Sequence, residues 1–408
     1  MTAREYPVFT VTPKAERSLR AGHPWVYGEE VTAVEGAYQN GDMVDVVTNK
    51  GRYLGTGWVN DHSKIRVRII SRNANDTFDE AFFRRRVCYA LNYRKTVMGP
   101  VDYRCCRLIF GEADQFPGLT VDRFENILVT QVLSLGMERR KDWVYRALVE
   151  LLREDGEQID AIYERNDVTI RTLEGLEQGK GFYQMEGLRT DLSGHVTITE
   201  NGIKYDVDYI EGQKTGFFLD QKYNRQAAAK LARGRRVLDC FTHTGAFALN
   251  AAAAGAEHVT AVDVSAFALE LAAENGKRNG LTNLDYKCAD VFDLLTEMAK
   301  EKKCDYDYII LDPPAFTKSR ATAKNAYHGY KEINRKAMRL LPRGGYLATC
   351  SCSHFMTDEM FRKMLQEAAL DAGVTLRQIE ARQQAPDHPI LPEVPETDYL
   401  KFYLLQVV

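Results

Sequence analysis

A chain of 408 residues is too long for one typical domain, and two or three are expected. With 45% hydrophobic and 27% charged residues it has the composition of a globular protein, and no apolar run is long enough to span a membrane. A formal charge of −3 excludes a protein that is basic all over, while leaving room for a local basic groove that binds nucleic acid. The first residues, MTAREYPVFTV, lack the basic-then-apolar pattern of a signal peptide, so a cytoplasmic protein is expected. Eight cysteines are scattered without a C-x-x-C pair or a matching histidine, which predicts reduced thiols and no metal site.

Residues 1–72 read as a small β domain, with short strands at 44–47, 53–59 and 65–70. In the last of these Arg66 and Arg68 alternate with Ile65, Val67 and Ile69, giving one basic and one apolar face. That basic face is either solvated or an RNA contact. RSLRAGHPWVY and the G-x-G-W strand resemble a PUA domain, an RNA-binding appendage.

Residues 73–190 read as a central α+β domain. A helix is predicted over 78–97, with Arg84, Arg85 and Arg86 unable to share one face. Strands at 105–110, 119–123 and 127–134, a helix at 138–153 and a strand at 159–164 follow. GEADQFPGLTVDRF reads as an exposed, turn-rich segment, and no catalytic constellation is visible here. Asn201-Gly202 then marks a hairpin of 196–200 and 203–209. Beyond it the polar and aromatic EGQKTGFFLDQKYNR leads into a helix, its two phenylalanines either core residues or a lid.

From residue 191 to 408, and most regularly after Arg236, strands and helices alternate as in a Rossmann-like α/β fold with a doubly wound parallel sheet. Strands are expected at 237–240, 259–262, 285–287, 308–311 and 345–349, with an antiparallel pair at 374–380 and 400–406 closing one edge. RVLDCFTHTGAF reads as strand, acid, tight loop and helix, a cradle whose helix N-terminus leaves N–H groups free for a ligand. With one glycine in the loop and Asp239 at the strand end, a diphosphate fits poorly; S-adenosylmethionine, with a positive or neutral middle, fits better.

The informative acids end successive strands, where ligands of such sheets bind. Asp263 can accept both ribose hydroxyls, and Asp290 can accept from the adenine amino group or simply cap a helix. In LDPPAF two prolines fix an extended turn, so the carbonyls and Asp312 point at whatever occupies the site, which suits a nitrogenous base. Phe316 either stacks on that base or belongs to the core. Cys350 and Cys352 share a face of an extended chain, Cys352 nearer the carboxyl edge. A thiolate there could add to C6 of a cytosine to activate C5, with Asp312 at N3; two buried thiols are the plainer alternative.

Taken together, EGQKTGFFLDQKYNR, VLDCFTHTGAF, LDPPAFTKS, SCS and DHPILPEVPETDYLKFYLL resemble the large-subunit ribosomal RNA cytosine-5 methyltransferases, over essentially the whole chain. That resemblance implies a PUA domain, a central domain and a class I S-adenosylmethionine domain acting on 23S ribosomal RNA. It implies a cofactor site of Phe218, Asp239, Phe241, Thr244, Gly245, Asp263, Val264, Asp290, Val291 and Asp312. Pro313, Pro314, Phe316 and Lys318 would meet the base, Cys352 would be the nucleophile with Asp312 beside it, and a homodimer is allowed. Ala315 stands where many RNA cytosine-5 enzymes have a second cysteine, so release must use another base, His354 or a water held by Asp312. Guanine N-methylation on the same fold and a non-catalytic assembly factor are the rival readings.

Overall fold

Apolar side chains placed at strand spacing build three large sheets, seen in a computed structural model that describes residues 5–301, 304–317 and 319–408. The chain divides into two compact units. The first runs to Ile198 and includes Val207–Leu219 and Pro386–Thr397; the second comprises Thr199–Asp206, Asp220–Ala385 and Asp398–Val408. Among the described residues no helix is long and apolar enough to cross a membrane.

The first unit begins with β1 (Val8–Val11), α1 (Pro13–Arg20), β2 (Trp25–Tyr27), β3 (Val31–Glu35), β4 (Met43–Thr48), β5 (Tyr53–Val59) and β6 (Ile65–Ser71). Thr12 caps α1 through the Ala15 N–H, and Pro13 occupies the first turn, where its missing N–H costs nothing. The strands form one sheet, β2-β6-β5-β4-β1-β3, around Phe9, Val11, Val26, Val44, Val46, Val59 and Val67. The basic face expected on β6 is largely neutralised within the fold. Arg66 pairs with Asp61 at 2.7 Å, and Arg68 with Glu174 at 2.8 Å and Glu112 at 3.4 Å.

The same unit continues with α2 (Glu80–Val97), β7 (Cys105–Phe110), β8 (Leu119–Phe124), β9 (Ile127–Val132), α3 (Leu135–Glu138), α4 (Lys141–Glu154), β10 (Ala161–Asn166) and β11 (Gly179–Phe182), whose strands form a second sheet in the order β11-β10-β9-β8-β7. Helix α2 starts later than the apolar spacing suggests because Asp79 accepts from the Phe82 N–H as its cap. GEADQFPGLTVDRF is not an exposed segment. Asp122 and Arg123 are buried, Asp122 is held by Arg107 at 2.7 Å, and Asp114 clamps the buried Arg94. Arg94 also donates to the carbonyl of Asp387 at 2.8 Å, whose side chain accepts from the Arg107 N–H. DHPILP is thus tied into this unit by charge-assisted bonds.

A two-stranded hairpin, β12 (His195–Glu200) and β13 (Ile203–Asp208), opens the second unit with its Thr199–Asp206 segment. That unit carries α5 (Lys222–Ala229), β14 (Arg236–Cys240), α6 (Ala246–Ala253), β15 (His258–Asp263), α7 (Ala266–Arg278), β16 (Leu284–Cys288), α8 (Val291–Glu301), β17 (Tyr308–Leu311), α9 (Ala323–Leu340), β18 (Tyr346–Ser351), α10 (Asp358–Ala372), β19 (Leu376–Arg382) and β20 (Lys401–Val407). Their sheet runs β16-β15-β14-β17-β18-β20-β19, parallel through β18, with β20 antiparallel to both its neighbours.

Both faces of this sheet are covered, which is why its inner strands read as apolar runs such as Tyr308-Ile309-Ile310-Leu311. On one face Val237, Tyr308, Ile310 and Ala348 meet the small alanines of α5 and α6; on the other Leu238, Ile309, Leu311 and Leu347 meet Tyr330, Ile333, Phe361 and Met364. Chain order reverses between the adjacent strands β14 and β17, so their carboxyl ends open a crevice.

A buried ion pair anchors the entry to this unit. Arg225 on α5 binds both oxygens of Glu200 at 2.6 and 2.8 Å, and both side chains are almost wholly excluded from solvent. Arg225→Met strands the Glu200 carboxylate in the interior and is expected to cost about 3–5 kcal/mol in urea unfolding. A loss below about 1 kcal/mol, the range of a surface pair, would contradict the burial argument.

Candidate active site at the carboxyl edge of the parallel sheet

Leaving β14, the chain turns sharply through Phe241, His243 and Gly245, with φ of 62°, 51° and 84°. Positive φ at two residues other than glycine is strain that the surrounding bonds must hold. Asp239 does much of that work. Its Oδ2 accepts from the Thr242 hydroxyl at 2.5 Å and from the Ala248 N–H at 2.9 Å, tying the strand end to the first turn of α6. Gly245 has a second reason to be glycine, since an added Cβ would lie 2.9 Å from the Cβ of Ala272. Phe241 and Thr244 are half-buried along this loop.

Asp263 ends β15 and braces the same loop: Oδ2 accepts from the His243 N–H at 2.9 Å and Oδ1 from the Ser265 N–H at 3.0 Å. Each oxygen keeps a lone pair, enough to accept a pair of hydroxyls. Val264, next along, is 65% exposed although apolar. Asp290 is the N-cap of α8, its Oδ1 accepting from the N–H groups of Phe292 and Asp293 at 2.7 and 3.1 Å. The side chain of Val291 is buried in the core. Phe218 belongs to the first unit, where the Lys214 ammonium lies 4.7 Å from its ring centre.

Directly after β17 stands Asp312, half-buried, accepting from Gln221 Nε2 at 2.9 Å. Gln221 is oriented in turn by Asn224 at 2.7 Å, and Asn224 by Arg382 at 3.1 Å. This relay was not anticipated, although Gln221 and Asn224 stand three apart in LDQKYNR, one helical turn. Pro313 is buried and Pro314 exposed. Phe316 is half-buried, 4.5 Å from the ring of Tyr330 and 5.8 Å from that of Phe292, so much of its surface is committed to core packing. Lys318 lies outside the described residues.

Strand β18 runs alongside β17 with Thr349 opposite Leu311, which brings the cysteines of SCS to the D-P-P turn. Cys350 is buried, and burial pushes its thiol well above the usual range. Cys352 is partly exposed, its Sγ 3.9 Å from the Pro313 carbonyl oxygen. The two thiols are therefore unlike: one is core, the other reaches the crevice. All eight cysteines are free, and among the described residues no cluster of three or more His, Cys, Asp or Glu is arranged to hold a metal.

The acids make the crevice a place that favours positive charge. Burial, chiefly, pushes Asp239 up from 3.8 to about 7, with the charges of Asp312 and Asp263 adding to it. Asp312 rises to about 6 through burial and the nearby Asp220. Asp239 Oδ1 is buried with no partner. Such a set is relieved by a cation, and S-adenosylmethionine carries a sulfonium and an ammonium, so the donors present fit that group.

The sign of these shifts gives a test. Each carboxyl holds its proton more tightly in the fold, so its contribution to stability is complete below about pH 4 and is lost as pH rises through its folded value. Between about pH 4 and about pH 7 the Tm of the ligand-free protein should fall relative to that of Asp239→Asn, which has no charge to bury, and level off above that. Parallel Tm curves for the two proteins would contradict the burial argument.

Comparison with known proteins agrees with this geometry. Residues 9–72 match the PUA-like domain family and residues 183–405 match the S-adenosylmethionine-dependent methyltransferase family. The fold is that of a putative S-adenosylmethionine-dependent methyltransferase from Streptococcus mutans, at a TM-score of 0.81 and 22% identity over 98% of this chain and 100% of that one. A putative methyltransferase solved in complex with SAH superposes at a TM-score of 0.82, with 22% identity and the same coverage. Ribosomal RNA large subunit methyltransferase I of Pseudoalteromonas atlantica is 40% identical over 98% of this chain and 99% of its own length; that of Shewanella denitrificans is 42% identical over 97% and 98%. With a PUA-like domain, a central α+β domain and an S-adenosylmethionine site on a Rossmann-like sheet, the chain belongs to the ribosomal RNA large subunit methyltransferase I family.

Proposed function

We propose that this enzyme methylates carbon 5 of a cytosine in 23S ribosomal RNA, with Cys352 as the nucleophile. The observation that carries the reading is the partly exposed Cys352 beside the Asp312-Pro313-Pro314 turn, at the edge of the cofactor crevice. The relatives' names supply the RNA as substrate, and a cytoplasmic setting follows from it.

Carbon 5 of cytosine is too poor a nucleophile to be methylated directly. The Cys352 thiolate adds to C6, forming the S–C6 bond, and the electrons of the C5–C6 double bond become available at C5. Asp312, whose raised pKa lets it hold a proton close to neutrality, shares that proton with N3 as charge builds on the ring. S-adenosylmethionine supplies the methyl group. A base then takes the C5 proton, the double bond re-forms, and the S–C6 bond breaks to return the thiolate. Ala315 offers no thiol for that release; His354, whose Nδ1 is buried without a partner, is the side chain we assign to it.

On the cofactor side, Asp263 takes the ribose hydroxyls, Asp290 and Val264 border the adenine, and Phe241, Thr244 and Gly245 line the cradle, with the backbone of Val291 completing it. On the base side are Pro313, Pro314 and the exposed part of Phe316.

Incubation with methyl-labelled S-adenosylmethionine and unmodified 23S ribosomal RNA, followed by nucleoside mass spectrometry, tests the reading. Label is expected in 5-methylcytidine and should fall about a thousandfold or more in Cys352→Ala, with binding of S-adenosylhomocysteine retained. Label in a methylguanosine, undiminished in that variant, would replace this reading with nitrogen methylation.

A further inference from the structure

Lys401 opens β20 opposite Ser351 in the β18–β20 ladder, between the buried Leu400 and Phe402. It is only 4% exposed, and a lysine is rarely so buried without a partner for its charge. Its ammonium donates to the Ser353 carbonyl at 2.6 Å and to the Tyr399 carbonyl at 2.7 Å. Ser353 directly follows Cys352, and its own hydroxyl donates to the Thr317 carbonyl at 3.0 Å. The segment carrying the thiol is thus clamped from both sides. Two carbonyls ask only for two donors, and a neutral side chain could supply them. A full positive charge kept from solvent is more than that task requires.

The charges around Lys401 indicate where it acts. Asp398, Cys352 and Asp358 are the groups that favour its charged form. Asp358, on α10, is already matched by Arg362 at 2.9 Å and bonded by the Tyr403 hydroxyl. Asp398, the first of these, accepts from the neutral Gln383 amide at 3.1 Å through Oδ2 while its Oδ1 is buried without a partner, so it shares the charge of Lys401 with Cys352. Around the thiol, Tyr330 on α9 is neutral, its phenol pushed up mainly by burial, and Asp312 after β17 brings negative charge to the crevice. An ionised Asp312 works against a thiolate; the Arg225 guanidinium eases the charge of Asp312, and Lys401 is a cation that acts on Cys352 itself. Burial lowers Lys401 to about 8, which still leaves the ammonium in the majority at neutral pH.

We propose that Lys401 is a positioning residue for Cys352, clamping the segment that bears the thiol and supplying the positive charge that favours its thiolate. This rests on the reading of Cys352 as nucleophile. The step it favours is loss of the thiol proton to solvent, and no bond to Lys401 forms.

Alkylation by iodoacetamide from about pH 6 to about pH 10, followed by mass spectrometry of the Cys352 peptide, reads the thiolate directly. In Lys401→Met the midpoint should rise by about one unit or more, making labelling at neutral pH about tenfold slower. Lys401→Arg should restore it. S-adenosylhomocysteine binding and Tm report whether each variant is folded. A folded Lys401→Met that labels along the wild-type curve overturns the proposal. If that variant does not fold, Lys401→Gln, which keeps a donor and loses the charge, decides by the same comparison. Methyl transfer that survives Cys352→Ala would instead remove the nucleophile reading, whatever the alkylation curves show.

Discussion

Carboxylates crowded at the carboxyl edge of one sheet are the constraint on which the second unit depends. Asp239, Asp263 and Asp312 end three strands that lie side by side, β14, β15 and β17, and Asp220 adds its charge nearby. Burying like charges together is costly, and the fold meets that cost with local donors: Thr242 and Ala248 for Asp239, two backbone N–H groups for Asp263, Gln221 for Asp312. What these bonds leave over is an electronegative crevice and, on Asp239, a buried oxygen without a partner. A cationic cofactor completes the arrangement, so binding and local stability are two sides of one electrostatic problem.

Much of this was legible in the sequence because each acid closes an apolar run. A strand buried on both faces shows itself as Val237-Leu238 or Ile309-Ile310-Leu311, and the acid after it can only sit at the sheet edge. Cys352 stood out for the same reason, two residues beyond a buried cysteine on a strand of known direction. The supporting groups were harder to see. Gln221, Asn224 and Arg382 act through contacts between residues far apart in the chain, and no periodicity announces them. Lys401 was hidden for a different reason: a lysine at the start of a strand reads as a solvated end, and only the antiparallel placement of β20 against β18 buries it.

The first unit teaches caution about arginines. In sequence, Arg66 and Arg68 alternate with apolar residues and suggest a basic face, yet the fold supplies Asp61, Glu112 and Glu174 as partners. Arg84 is likewise held by Glu150 and Glu154, and Arg94 by Asp114. Alternation fixes which side of a strand a residue takes, but the acids that neutralise it come from other elements. Short strands such as β1, β2 and β3 escaped the sequence reading because few residues carry too weak a pattern.

The central claim is that Cys352 bonds to C6 of its target cytosine, and trapping that bond tests it most directly. Fluorine at C5 cannot leave as a proton does, so after methyl transfer the S–C6 bond has no route to break. Incubation with 23S ribosomal RNA containing 5-fluorocytidine and S-adenosylmethionine, then protease digestion and mass spectrometry, should find the nucleotide attached to the peptide bearing Cys352. An enzyme that methylates unmodified RNA yet forms no adduct with the fluorinated RNA, or forms it through another cysteine, would contradict the account.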